Sequence, residues 1–115
     1  MAIAGVVLIS SNSELFINGN VFHKLISTNG VASAIRFESI PRRLLINGND
    51  IDSIWDSGTG SGYGIYFAYN AAAPSNCSDW IISNNKIVNI KDDGIKFSSN
   101  ANMPTITIQI SGNDI

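Results

Sequence analysis

The sequence is poor in charge and in cysteine. Only 14% of its 115 residues are charged, and the formal net charge is −2. Nucleic-acid binding needs clustered Lys and Arg to neutralise phosphates, so this balance argues against a nucleic-acid partner. The single cysteine, Cys77, cannot form an internal disulfide, so no cystine framework holds the fold.

Long apolar runs and metal-ligand patterns are also missing. No apolar stretch approaches the roughly 20 residues that a membrane-spanning helix needs, so membrane insertion is not expected. Residues 2–9 are as apolar as a signal peptide core, but no basic residue precedes them and they match an internal strand. His23 has no Cys, His or acidic residue at ligand spacing, so we expect no metal and no cofactor.

What the sequence does contain is an internal repeat. A small residue followed by an apolar, a variable and a second apolar residue occurs four times. The copies are Gly5-Val6-Val7-Leu8, Ala34-Ile35-Arg36-Phe37, Gly64-Ile65-Tyr66-Phe67 and Gly94-Ile95-Lys96-Phe97. Their second residues lie 29, 30 and 30 positions apart, so the period is about thirty residues.

A second repeated pattern predicts tight turns. It reads Ile17-Asn18-Gly19-Asn20, Ile46-Asn47-Gly48-Asn49, Ile82-Ser83-Asn84-Asn85 and Ile110-Ser111-Gly112-Asn113. The first residues are 29, 36 and 28 positions apart, and we assign the longer middle interval to a loop insertion at residues 69–77. The last Asn of each copy is expected to hydrogen-bond its counterpart in the next repeat and to tolerate a left-handed bend.

The apolar positions within each repeat alternate with a period of two, which is typical of strands. A third strand follows each Asn turn, with apolar pairs at Phe22 and Leu25, Ile51 and Ile54, and Ile87 and Ile90. Leucine-rich and helical repeats have similar periods, but neither a Leu-x-x-Leu-x-Leu consensus nor paired amphipathic helices are present. The sequence therefore predicts an all-β solenoid of about 3.5 coils, with three strands per coil of roughly 30 residues.

The Gly-Ile-x-Phe strands and Asn turns resemble the right-handed parallel β-helix superfamily, the pectate-lyase-like fold of pectinases, alginate epimerases and phage tailspikes. The resemblance extends over nearly the whole chain. It implies a tailspike-like protein, extracellular or on the virion surface, that binds a bacterial surface polysaccharide. It also implies that the full-length protein is a glycoside hydrolase or a polysaccharide lyase. A non-catalytic spacer or trimerisation shaft is the alternative, since many activities share this scaffold.

Stacked coils place equivalent residues in columns about 4.8 Å apart. One outward column holds Val7, Arg36, Tyr66 and Lys96, and the last three are the predicted polysaccharide-binding residues. The aromatic ring is expected to stack on a sugar, and the cations are expected to hold hydroxyl or carboxylate groups. A solvated face rich in strand-forming residues is the alternative interpretation.

The predicted catalytic residues are Asp92 and Asp93, which lie just ahead of the fourth such strand. Polygalacturonase-like enzymes have an Asp-Asp pair in a similar place, but their Asn-Thr-Asp, Gly-His-Gly and Arg-Ile-Lys motifs are missing here. Adjacent residues of an extended strand point to opposite sides, so a second acid such as Asp56 or Glu38 is needed unless a turn intervenes. A solvated turn is the alternative.

The segment 55–63 is predicted to form a sugar-binding rim. Trp55 and Tyr63 supply aromatic rings at its two ends, and Asp56 supplies a carboxylate. Its glycines do not form a phosphate loop, because the Lys-Ser/Thr pair and the following helix are missing. A flexible surface loop is the alternative.

One outward column is apolar, which points to a covered face. Phe16, Leu45 and Ile81 precede Gln109 in this column. Such a strip in water favours aggregation, so we expect it to be buried against another chain or a covering segment. The resemblance to phage tailspikes favours a parallel homotrimer. The chain opens in a strand and stops inside a repeat, with no amphipathic helix to cover the open coils. We therefore expect residues 1–115 to be a single β-helix segment of a longer chain, and ends covered in an assembly are the alternative.

Overall fold

The structure, a computed structural model, describes residues 3–8, 14–68, 78–98 and 107–115. In these ranges the chain forms eleven strands and no helix, so the all-β prediction is confirmed. The strands are β1 (Ile3–Leu8), β2 (Glu14–Asn18), β3 (Val21–Ser27), β4 (Val31–Phe37), β5 (Arg43–Asn47), β6 (Asp50–Asp56), β7 (Ser61–Phe67), β8 (Trp80–Ser83), β9 (Lys86–Ile90), β10 (Ile95–Phe97) and β11 (Ile108–Ser111).

Three successive strands belong to three different parallel sheets, and this order repeats along the chain. The first sheet has the order β1-β4-β7-β10, the second β11-β8-β5-β2, and the third β3-β6-β9. Each strand therefore pairs with the strand three places along the chain, an arrangement compatible with a β-solenoid. Within the described ranges no helix is long and apolar enough to cross a membrane.

The strand registers confirm the predicted columns. In the first sheet Val6 pairs with Ile35, Ile35 with Ile65, and Ile65 with Ile95. The second sheet aligns the turn repeats in the same way, with Ile17, Ile46, Ile82 and Ile110 in one column. The predicted insertion at residues 69–77 lies outside the described residues.

The core between the sheets is filled by the inward columns. Phe37, Phe67 and Phe97 form a stack with 4.5 Å between neighbouring ring centroids. Trp80 packs on this stack at 5.5 Å from Phe67, and its indole N–H donates to the carbonyl of Pro41 at 3.3 Å. Each fully buried aromatic or branched aliphatic side chain contributes about 1.5–3 kcal/mol through removal from water. The alternating apolar pattern therefore supplies most of the driving force for this fold.

The second-sheet turns carry the predicted Asn ladder. The side-chain amides of Asn20, Asn49 and Asn85 each donate to the side-chain oxygen of the next ladder Asn, at 3.1, 2.8 and 3.0 Å. Asn49 and Asn85 are buried, so the ladder satisfies groups that water does not reach.

One detail of the turn prediction is wrong, because the left-handed backbone does not fall on the ladder residues. It falls one residue earlier, on Gly19, Gly48 and Gly112 with φ of 67°, 67° and 63°, and on Asn84 with φ of 56°. Glycine and asparagine are the residues that adopt this region at least cost.

The strands of the third sheet bend at one equivalent position. Lys24, Ser53 and Asn89 have φ of 59°, 62° and 54°, and each lies between two register pairs. A left-handed residue shifts the alternation of side chains by one place. This shift explains why the inward residues of these strands, such as Ile51 and Ile54, are three positions apart instead of two.

The predicted apolar strip lies on the outer face of the second sheet. Phe16 pairs with Leu45 and Leu45 with Ile81, and the column ends at Gln109. The Phe16 side chain is 50% exposed, whereas Leu45 and Ile81 are half-buried.

Candidate functional site

The first sheet brings the three predicted binding residues into one outward column. Arg36 of β4 pairs with Tyr66 of β7, and Tyr66 pairs with Lys96 of β10. Neighbouring strands of a sheet lie about 4.8 Å apart, so the column offers one polar or aromatic group on each of β4, β7 and β10, and Val7 of β1 continues it next to Arg36. With Tyr63 and the carboxylates of Glu38 and Asp93, these residues form what we call the first-sheet face.

Arg36 and Tyr66 contact each other directly. The guanidinium carbon of Arg36 lies 5.4 Å from the centre of the Tyr66 ring, within cation–π range. The Nε of Arg36 also donates to a carboxylate oxygen of Glu38 at 2.9 Å. One face of the Tyr66 ring is therefore occupied by the guanidinium. The predicted stacking of a sugar on Tyr66 is limited to the ring surface that Arg36 leaves open.

Tyr63 joins the same face. Its ring centre lies 4.7 Å from that of Tyr66, with the two rings tilted by 41°. Tyr63 stands opposite Ser33 in the register, and Ser33 is fully buried. The two tyrosines thus form an aromatic pair between the cations of the neighbouring strands.

Lys96 and Asp93 form an ion pair at the other end of the column. The ammonium lies 3.1 Å from a carboxylate oxygen of Asp93, and both side chains are partly exposed. The hydrogen bond from Lys96 to Asp93 raises the pKa of Lys96, with a further contribution from the charge of Asp93. The ammonium is therefore held in its charged form beside the tyrosine pair.

The two predicted catalytic aspartates have different partners. Asp92 accepts a hydrogen bond from the N–H of Gly62 at 2.8 Å, and its own N–H donates to the carbonyl of Gly62 at 3.0 Å. Asp92 thus closes a turn against β7, whereas Asp93 faces Lys96. Each carboxylate is engaged by a group of the protein, and their catalytic role stays a prediction.

The carboxylate of Asp56 lies inside the loop that follows β6. The residue is 1% exposed. One oxygen accepts from the hydroxyl of Ser27 at 2.6 Å and from the N–H of Gly30 at 2.9 Å, and the other accepts from the N–H groups of Gly58 and Gly60 at 2.8 Å each. The Gly30 and Ser27 hydrogen bonds, in that order, hold the pKa of Asp56 well below its usual range. The geometry gives this carboxylate a loop-ordering role, and ligand contact stays a prediction.

Lys91 holds the same loop from its other side. Its ammonium donates to the carbonyls of Asp56, Gly58 and Gly60 at 3.0, 3.0 and 2.7 Å. The ammonium also lies 3.6 Å from the carboxylate of Asp56. N–H groups of the loop thus point to an anion and carbonyls to a cation, so hydrogen bonds hold this segment from both sides. The sequence interpretation missed Lys91, because nothing in the local pattern pairs it with a loop 31 to 35 residues earlier.

The structure separates the two aromatic ends of the predicted rim. Tyr63 belongs to the first-sheet face, whereas Trp55 lies on β6 of the third sheet in register with Ile26. Trp55 is 47% exposed. Trp55 and Tyr63 therefore present their rings from strands of different sheets.

A cleft on the second sheet was not predicted. It has a volume of about 400 Å³ and is lined by Glu14, Arg43, Ser78, Asp79 and Ile81. Glu14 pairs with Arg43 in the register, and Asp79 precedes Trp80, the partner of Leu44, so these charges occupy equivalent positions of three repeats. Aligning the repeats one residue further towards the N-terminus would have found them.

His23 has an acidic neighbour that the spacing did not indicate. Its Nε2 lies 3.4 Å from a carboxylate oxygen of Asp50, which stands opposite Val21 on the neighbouring strand of the third sheet. Among the described residues no group of three or more His, Cys, Asp or Glu side chains is placed to hold a metal ion.

Comparison with known proteins found no family model, curated protein or solved structure that matches the chain.

Proposed function

We propose that the chain is a segment of a right-handed parallel β-helix of the pectate-lyase-like, tailspike-like kind, with about 3.5 coils. We propose further that its first-sheet face binds a bacterial surface polysaccharide outside the cell or on a virion. The observation that carries the proposal is the column of Arg36, Tyr66 and Lys96, which presents a donor or a ring on three adjacent strands, β4, β7 and β10.

The chemistry of this face suits a hydroxyl-rich polymer. Arg36 and Lys96 supply donors, Glu38 and Asp93 supply acceptors, and the tyrosine pair supplies apolar surface with hydroxyl tips. Arg36, Tyr66 and Lys96 follow one another at the strand spacing of about 4.8 Å, so an extended polymer lying across β4, β7 and β10 meets a donor or a ring on each of these strands.

Binding is better supported than cleavage. Hydrolysis or elimination by Asp92 and Asp93 is a prediction of the family resemblance alone. Asp92 accepts from the Gly62 N–H and Asp93 from Lys96, so each carboxylate is occupied in the free protein. A reducing-end assay on the polysaccharide panel described next tests cleavage, with Asp93→Asn as the inactive reference.

Affinity electrophoresis in gels containing bacterial surface polysaccharides tests binding. We expect retardation by at least one polymer and an affinity at least ten-fold lower for Tyr66→Ala. Gln109→Ala is the matched control, because Gln109 is exposed on the outer face of the second sheet. Equal retardation of both variants, or no retardation by any polymer, would contradict the proposal.

A non-catalytic trimerisation shaft is the second candidate function. The half-exposed Phe16 and its neighbours Leu45 and Ile81 favour it, because they form an apolar strip on an outer sheet face. We propose a homotrimer through this strip. Sedimentation equilibrium should give three times the monomer mass for the wild type and a monomer for Leu45→Lys, and a wild-type monomer would overturn the trimer.

A further inference from the structure

We infer that the polysaccharide bound by the first-sheet face is uncharged, an inference that rests on the binding function proposed above. It names the class of ligand for which the charge arrangement of this face is suited, and it excludes the acidic polymers that a column containing Arg and Lys first suggests.

The cations of the face are neutralised within the protein. The guanidinium of Arg36 pairs with Glu38 at 2.9 Å, and the ammonium of Lys96 pairs with Asp93 at 3.1 Å. The formal charges of these four side chains sum to zero. The face therefore presents two ion pairs with the tyrosines between them, and no net positive field attracts a polyanion.

An acidic polymer would have to compete with both carboxylates. Glu38 and Asp93 are about half exposed, so a uronate or sialate group approaching either cation would lie beside a like charge. Displacing the carboxylates would remove hydrogen bonds that already exist, and the elevated pKa of Lys96 indicates that its pairing with Asp93 is favourable.

Three other described cations do not change this balance. Lys91 is directed at the carbonyls of the loop after β6. Arg42, just before β5, pairs with Glu14 of β2, and the guanidinium of Arg43 lies 5.6 Å from the centre of the Phe16 ring on the second sheet. Neither side of the first-sheet column therefore gains a cation from these three residues.

A neutral sugar uses both members of each ion pair. Neighbouring hydroxyl groups can donate to the carboxylate oxygens of Glu38 or Asp93 and accept from the remaining N–H groups of Arg36 or Lys96. Such contacts add to the ion pairs instead of breaking them. Binding is therefore expected to be nearly independent of salt, since no counterions are exchanged.

The test measures binding of the 115-residue chain to two sets of polymers at low and high salt. The neutral set is dextran, mannan and galactan together with neutral O-antigen polysaccharides. The acidic set is polygalacturonate, alginate and polysialic acid. We expect the tightest binder to be neutral, with less than a two-fold change in affinity between about 20 and 300 mM NaCl.

A charge-changing variant sharpens the test. Glu38→Gln with Asp93→Asn frees both cations, and we expect this double variant to bind the acidic polymers at least ten-fold more tightly than the wild type, with an affinity that falls as salt rises. Glu14→Gln with Asp79→Asn changes the net charge equally but on the second sheet. This control should leave acidic-polymer binding within two-fold of the wild type.

The two proposals fail in different ways. Tight, salt-sensitive binding of wild type to an acidic polymer would overturn the neutral ligand and leave polysaccharide binding intact. No binding to either set would overturn the binding function itself. Equal gains by the double variant and its control would show that net charge, and not the first-sheet face, governs the selectivity, which also overturns the inference.

Discussion

Asp56 is a single residue on which a whole loop depends. Its two carboxylate oxygens accept four hydrogen bonds from Ser27, Gly30, Gly58 and Gly60. A buried carboxylate is stable only when its charge is compensated in this way, and Lys91 supplies the balancing positive charge at 3.6 Å.

The low pKa of Asp56 makes the free energy of unfolding depend on pH in the acid range. A carboxyl whose folded pKa lies below its unfolded value of about 3.9 stabilises the fold above that value and loses this contribution as pH falls towards the folded pKa. We therefore expect the free energy of unfolding, measured by urea denaturation, to decline from pH 5 to pH 2. Asp56→Asn should be less stable at pH 7 and should show a shallower decline.

Asp79→Asn is the control for this experiment, because Asp79 is exposed. It should keep the stability and the acid dependence of the wild type. Parallel curves for the wild type and Asp56→Asn across this pH range would show that Asp56 is not the carboxyl responsible.

Lys24 carries a local backbone cost that a substitution should remove. Its φ is 59°, and an L-residue with a full side chain is disfavoured there by about 1–2 kcal/mol relative to the ordinary helical region. Asparagine tolerates this conformation and occupies the equivalent position at Asn89. We expect Lys24→Asn to raise the free energy of unfolding by about 0.5–1 kcal/mol in urea denaturation.

The matched control is Lys86→Asn, which makes the same change at an exposed strand position without a positive φ. It should be neutral or slightly destabilising, because asparagine is a poor strand former. Lys24→Asn that is no more stable than Lys86→Asn would contradict the assigned backbone cost.

At the scale of elements, the Asn ladder ties the turns of the second sheet together. Asn49 is an inner member, which accepts from Asn20, donates to Asn85 and donates to the carbonyl of Ile17. Asn20 is an outer member and is exposed. Truncating the inner residue leaves buried groups unpaired, whereas truncating the outer one leaves groups that reach water.

We expect Asn49→Ala to lower the free energy of unfolding by about 2–3 kcal/mol and Asn20→Ala by about 1 kcal/mol or less. Chemical denaturation of both variants measures the difference. Equal losses at the two positions would mean that the ladder hydrogen bonds contribute little beyond the turn itself.

The elements that sequence reasoning located best are those with strict repetition. Ile35, Ile65 and Ile95 recur at a constant spacing of 30 residues, and a strand buries such residues on one face, so their column follows from the pattern alone. The ladder followed in the same way, because Asn at a fixed place in each turn meets its counterpart in the next repeat.

The repeat pattern of the sequence does not predict contacts that side chains make with other sheets and loops. Lys91 reaches the loop after β6 through a side chain whose direction depends on tertiary packing. The left-handed residues of the third sheet were hidden because Lys24 and Ser53 are not residues that signal this conformation. The ion pairs of Arg36 with Glu38 and of Lys96 with Asp93 likewise depend on side-chain geometry. These two pairs set the charge of the candidate site.

At the scale of the whole molecule, one repeat gives three outer faces of different character. The first sheet presents ion pairs and tyrosines, the second an apolar strip, and the third the His23 and Asp50 pair with Trp55. Tyr66 and Leu45 lie on strands of different sheets, so we expect their substitutions to act independently.

We therefore expect glycan binding and assembly to separate. Tyr66→Ala should lose polysaccharide binding and keep the oligomeric state of the wild type, whereas Leu45→Lys should lose assembly and keep the binding site of each chain. Affinity electrophoresis and sedimentation of both variants check this. Loss of both properties in either variant would contradict independent faces.

The most direct test of the central claim is to map a bound glycan onto the molecule. We would record amide chemical shifts by nuclear magnetic resonance while adding an oligosaccharide prepared from the tightest-binding neutral polymer. The account predicts that the largest changes fall on Arg36, Tyr66 and Lys96, on three adjacent strands of the first sheet. Changes confined to the second-sheet cleft around Arg43 and Asp79 would contradict it.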